Sequence, residues 1–153
     1  MTDEFSGRVA LSTSPEATWA VIQDPDALGR ALPDCESIVP DGSGGLNVVV
    51  AIKQMFMTVR VDLHVTYHDL DRPHHLRLDL DGKPRGLGGA LRLVVPIEIT
   101  PTPTGSQVDY QATLELEGTL ASFRKQVREG LQLQVERLVR NVEHEAAAGQ
   151  SGA

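Results

Sequence analysis

A chain of 153 residues is the size of one domain and long enough to bury a single core. Hydrophobic residues at 41% and charged residues at 23% exclude a disordered or low-complexity scaffold, and a net charge of −7 excludes non-specific binding to nucleic acid. The one cysteine, Cys35, excludes an internal disulfide, and no apolar run approaches the roughly 20 residues needed to span a bilayer. Met1-Thr2-Asp3-Glu4 is acidic and unlike a secretion signal, so the expected location is the cytoplasm.

The first element is a strand from Phe5 to Leu11, in which Phe5, Val9 and Leu11 share one face. Ser14-Pro15-Glu16 then supplies an N-cap, a first-turn proline and a first-turn acid for a short helix carrying Trp19, Val21 and Ile22. Asp24-Pro25 ends it. A second short helix through Ala27, Leu28 and Ala31 stops at Leu32-Pro33, because the residue before a proline is pushed out of the α region.

After Pro33 the period becomes that of strands. One runs from Glu36 to Val39 and is followed by the turn-rich Asp41-Gly42-Ser43-Gly44-Gly45. Leu46, Val48, Val50 and Ile52 alternate on the next, and Met55, Met57, Val59, Val61, Leu63, Val65 and Tyr67 on a longer one. Leu76, Leu78 and Leu80 repeat the pattern, as do Leu91 to Ile99 and Val108 to Leu116, giving about seven strands. Such alternation marks an antiparallel sheet with one wet and one packed face. Asp62, Asp79, Asp109, Glu115 and Glu117 all fall on the wet parity.

From Thr119 the period becomes helical, with Leu120, Phe123, Val127, Leu131, Val135, Leu138 and Val142 three or four residues apart up to about Ala147. Residues 1–148 therefore read as a single domain and 149–153 as a disordered polar tail. A seven-stranded sheet is about 29 Å across, whereas one helix covers only about 10–12 Å of it. Either the sheet curls round the helix and leaves an apolar space, or the uncovered part is buried by a second copy.

Several clusters invite a chemical reading. A turn at Asp69 to His74 would set His68 opposite His75, but two histidines fall short of the three or four ligands that zinc takes, so no metal site is expected. Cys35 has no histidine in a partner position and reads as a small buried residue. The stretch from Gly82 to Gly89 lacks the third glycine of a dinucleotide fingerprint and reads as a mobile loop or a lid with Leu87 at its tip. With ionisable groups nearly absent from the inward parity, no catalytic residue is assigned. The residues expected to line the apolar space are Leu32, Val50, Met55, Met57, Val59, Val61, Leu78, Leu87, Leu93, Val95, Phe123, Val127 and Leu131.

The order and spacing of several segments carry a resemblance. These are Phe5-Ser6-Gly7; Pro15-Glu16 with Trp19; Asp24-Pro25-Asp26-Ala27-Leu28; Leu32-Pro33-Asp34-Cys35-Glu36-Ser37-Ile38; Gly105, Val108 and Tyr110; and Gly118-Thr119-Leu120-Ala121. Together they resemble the carbon monoxide dehydrogenase G-subunit family of the START-like, polyketide cyclase and hormone receptor superfamily. The resemblance implies an α+β helix-grip fold, a curved antiparallel sheet of about seven strands around a long C-terminal helix, with two short helices after the first strand. It further implies a non-enzymatic accessory of a gas-oxidising dehydrogenase, without a cofactor of its own, that links the enzyme to the respiratory membrane. A bound isoprenoid quinone such as menaquinone is the expected form of that link. Peripheral contact with the inner face of the membrane would come through a C-terminal tail absent here. The alternatives are a polyketide cyclase or isomerase of the same fold, or a pure assembly factor. Asp34 stands where family members usually carry glycine.

Overall fold

The computed structural model describes residues 2–54 and 57–151. Its elements run β1 (Thr2–Leu11), α1 (Pro15–Gln23), α2 (Pro25–Ala31), β2 (Cys35–Pro40), β3 (Leu46–Gln54), β4 (Met57–Asp71), β5 (His75–Pro84), β6 (Ala90–Thr102), β7 (Gly105–Glu117), a 3₁₀ segment (Gly118–Phe123) and α3 (Arg124–Ser151). The strands form one antiparallel sheet in the order β1-β7-β6-β5-β4-β3-β2. Consecutive strands are therefore neighbours, except that β1 crosses the whole sheet to pair with β7.

The helix signals act as read. Ser14 Oγ accepts from the Ala17 amide at 3.2 Å and caps α1. Asp24 closes α1 through its own backbone amide and opens α2 by accepting from the Asp26 amide at 3.1 Å, so one residue serves both helix ends. α3 runs on to Ser151, past the Ala147 end point and through Gly149 and Gln150 of the expected polar tail. Ala146-Ala147-Ala148 favours helix strongly, and no proline interrupts it. Gly152 and Ala153 lie outside the described residues.

Alternation sets the two faces. Val50 opposite Val61, Tyr67 opposite Leu78, Leu78 opposite Val95 and Leu93 opposite Leu114 all point inward. The opposite parity carries ion pairs on the outer face, among them Arg8–Asp109, Glu36–Arg60 and Asp62–Arg85. Asp79 departs from the expected wet surface. It belongs to the outer face but is only 6% exposed, because Arg77 at 3.0 Å, His68 at 3.4 Å and Arg92 at 3.8 Å cover it.

The β4–β5 register also differs from the expectation. His68 faces Arg77, not His75, because the ladder is irregular between His68 and Asp71 and closes only at Asp71–His75. His75 instead pairs with Glu98 across β6.

Asp34 has φ of 59°, a left-handed conformation that glycine adopts freely and a Cβ disfavours. Asp34→Gly is expected to raise stability by up to about 1 kcal/mol, and Asp34→Val to lower it by about 1–2 kcal/mol, as read from urea midpoints.

Candidate functional site

The buried apolar side chains fall into two clusters. The larger joins β1, β6, β7, α1 and the C-terminal half of α3, where Val142 and Ala146 are fully packed. The smaller joins Leu28 of α2 to Leu46, Val48, Val50, Val61 and Val65 of β3 and β4. Tyr67, Leu78, Leu80 and Leu138 touch both clusters, and all four are only partly buried.

The seam between the clusters exists because α3 does not centre on the sheet. It packs chiefly against α1, α2 and β1, toward one edge. Inward residues away from that edge, Ile52, Val59, Leu63, Leu80 and Leu91, are half-buried despite being apolar, as are Val127, Leu131, Val135 and Leu138 on the facing helix. Half-exposed aliphatics on both walls mark an incompletely packed apolar seam, the gap, between the sheet and the N-terminal half of α3. Two hollows lie beside α1. One of about 450 Å³ is lined by Trp19, Gln23, Leu70 and Arg72 among others, and one of about 560 Å³ by Ala17, Ala27, Arg30, Glu145 and Ala146 among others.

The structure sorts the expected lining residues. Leu32, Val59, Leu78, Val127 and Leu131 border the gap. Val50, Val61, Leu93 and Val95 point inward but are 4–8% exposed and form the packed floor. Phe123 is not a lining residue. The segment Gly118–Phe123 winds as a 3₁₀ helix, whose three-residue turn breaks the α-helical phase, and leaves the ring 51% exposed. Leu87 likewise stands outside, 42% exposed on the turn that follows β5. β5 continues through Gly82 and Lys83 to Pro84, so the first three residues of the expected loop are strand. Met55 and the side chain of Met57 lie outside the described residues. Ile52, Leu63, Leu80, Leu91, Val135 and Leu138 were missed as lining residues, although parity and helical phase carried the signal for each.

Among the described residues the charged groups of β3, β5, β6 and β7 lie on the outer parity. Tyr67 points inward, but its hydroxyl donates to the Ile22 carbonyl at 2.8 Å and burial pushes its pKa up to about 12, so it stays protonated at neutral pH. Tyr110 leans across Gly7 of the edge strand, on the β1 side. Arg92, Lys83 and Arg85, the cations considered for an acidic ligand, lie on the outer parity, where Arg85 pairs with Asp62 at 2.7 Å. Burial raises the Cys35 pKa, and its thiol donates to the Ser37 carbonyl at 3.4 Å, which leaves it a poor nucleophile. Among the described residues no three His, Cys, Asp or Glu side chains converge as metal ligands. No described helix is long and apolar enough to cross a membrane.

A curled antiparallel sheet holding a long C-terminal helix, with two short helices inserted after the first strand, defines the helix-grip class of the START-like proteins and polyketide cyclases. Within that class the chain belongs to the carbon monoxide dehydrogenase G-subunit (CoxG) family, whose model matches residues 7–147. A conserved protein from Geobacillus kaustophilus superposes with a TM-score of 0.83 at 20% identity, covering 97% of this chain and 96% of that one. The di-domain ARO/CYC StfQ from the steffimycin biosynthetic pathway superposes at 0.72 and 11% identity, over 100% of this chain and 53% of StfQ. Ara h 8.0201 gives 0.72 at 13% identity, over 97% and 99%. These likenesses establish the shared fold. No curated protein matches the chain in sequence.

Proposed function

We propose that this chain is a non-enzymatic carrier that holds an isoprenoid quinone such as menaquinone in the apolar gap and links a carbon monoxide dehydrogenase-type enzyme to the respiratory membrane. The observation that carries the binding half is the seam of half-exposed aliphatics between sheet and α3, from which charged groups are absent among the described residues. Water in such a seam is poorly held, and a long hydrocarbon chain displaces it favourably. A fatty acid is a weaker fit, because its carboxylate would lack a cation. The dehydrogenase partner follows from family membership. The cyclase alternative needs a group that titrates near neutrality inside the gap, and neither inward tyrosine supplies one.

Organic extraction of the purified protein followed by mass spectrometry should recover a quinone. A soluble menaquinone analogue should raise the melting temperature dose-dependently, with a gain of about 2.7 kcal/mol at a hundredfold excess over Kd. Recovery of fatty acids or polyketides alone, with no shift from the analogue, overturns the quinone assignment.

A further inference from the structure

Three side-chain polar atoms are buried without a hydrogen-bond partner among the described residues: Ser106 Oγ, the Tyr110 hydroxyl and Gln134 Oε1. Ser106 lies opposite Leu11 and Pro101, at the end of the sheet away from the N-terminus of α3. Tyr110 lies over Gly7 at the β1 edge. Gln134 alone lies on the gap side of the long helix.

Its place follows from helical phase. Val127, Gln134 and Asn141 are seven residues apart and so share one stripe of α3. At one end of the stripe Asn141 donates to the Ala31 carbonyl at 2.8 Å, which fixes this side of α3 toward α2 and the smaller apolar cluster. At the other end Val127 packs at the border of the gap. Leu138, one turn beyond Gln134 on the same side, touches both clusters across the seam. Gln134 sits between these points, about 10 Å along the axis from Asn141. A primary amide with a buried, unpaired oxygen thus stands in an otherwise apolar seam.

We propose that the Gln134 amide is the polar anchor for the ligand's head group, and that it selects a neutral carbonyl or hydroxyl over a carboxylate. An amide offers an acceptor and two donors, and turning it by half a revolution exchanges them. The oxygen accepts from a hydroxyl, as on a quinol, and the Nε2–H donates to a carbonyl, as on a quinone. Both redox forms of one ligand are held by the same side chain, whereas a carboxylate can use only its donors and carries a charge into an apolar seam. The assignment rests on the carrier reading and deepens it.

The test compares Gln134→Leu with the wild-type chain for two probes, a short-chain menaquinone analogue and squalene, a hydrocarbon of similar length without a head group. Loss of one buried hydrogen bond should weaken analogue binding about ten-fold, leave squalene binding unchanged or tighter, and leave the unliganded melting temperature equal or higher. Gln134→Glu, assayed at a pH high enough to ionise it, is the second variant should the leucine chain not fold; the carboxylate cannot donate, so it should lose the quinone analogue while retaining squalene. Equal weakening of both probes assigns Gln134 a structural role and overturns the anchor. Unchanged analogue binding overturns it too, leaving the carrier intact, whereas a wild-type chain that binds neither probe overturns both readings.

Discussion

Replacing Leu76 by alanine is expected to lower stability by about 2–5 kcal/mol, the range for emptying a fully packed leucine site. Leu76 is 0% exposed near the start of β5, opposite Ile97, and belongs to the larger cluster. For a chain of this size each kcal/mol moves the melting temperature by roughly 2–4 °C, so calorimetry should show a fall of roughly 5–20 °C. Leu133→Ala is the control. At 61% exposure on α3 it should shift stability by less than about 0.5 kcal/mol. Equal effects from the two substitutions would contradict a core centred on β5 and β6.

Leu131→Trp is expected to cut uptake of a menaquinone analogue about ten-fold or more while leaving the fold nearly as stable as before. Leu131 is half-buried on the wall of the gap, so an indole there takes the room of the ligand and not that of packed protein. In a filled core the same enlargement would force off-rotamer side chains and cost about 1–3 kcal/mol. Isothermal titration beside a melting curve separates the cases: lost binding with a steady melting temperature supports the gap, and the reverse rejects it. Phe123→Trp should change neither, because that ring already stands in solvent.

The contrast between Leu131 and Phe123 marks where the sequence is readable. Alternation along β3 to β7 assigned faces correctly, because a sheet with one packed side requires apolar residues on every second position. Helical phase placed Val127 and Leu131 for the same reason. Phe123 failed because phase has meaning only within one helix type, and the stretch before Arg124 winds as a 3₁₀ helix. His68 and His75 failed because an irregular β-ladder leaves no trace in the alternation on either side of it. The burial of Asp79 was hidden because it depends on two arginines and a histidine reaching from two neighbouring strands and its own. Gln134 was hidden in a different way. A glutamine in a helix looks like any solvated position, and it becomes informative only when its side-chain oxygen is seen to be buried without a partner.

The sheet order has a kinetic consequence. β2 to β7 can pair in sequence through short connections as they are made, but β1 must wait for the last strand, since Phe5 sits opposite Ala112. At translation rates of about 5–20 residues per second, roughly 100 residues take about 5–20 s to synthesise. Throughout that interval Phe5, Val9 and Leu11 have no partner, and β6 and β7 cannot complete their cluster without them. The nascent chain therefore presents its first strand to whatever binds extended apolar segments at the ribosome until β7 is made, and α3, which packs on β1, can dock only later still.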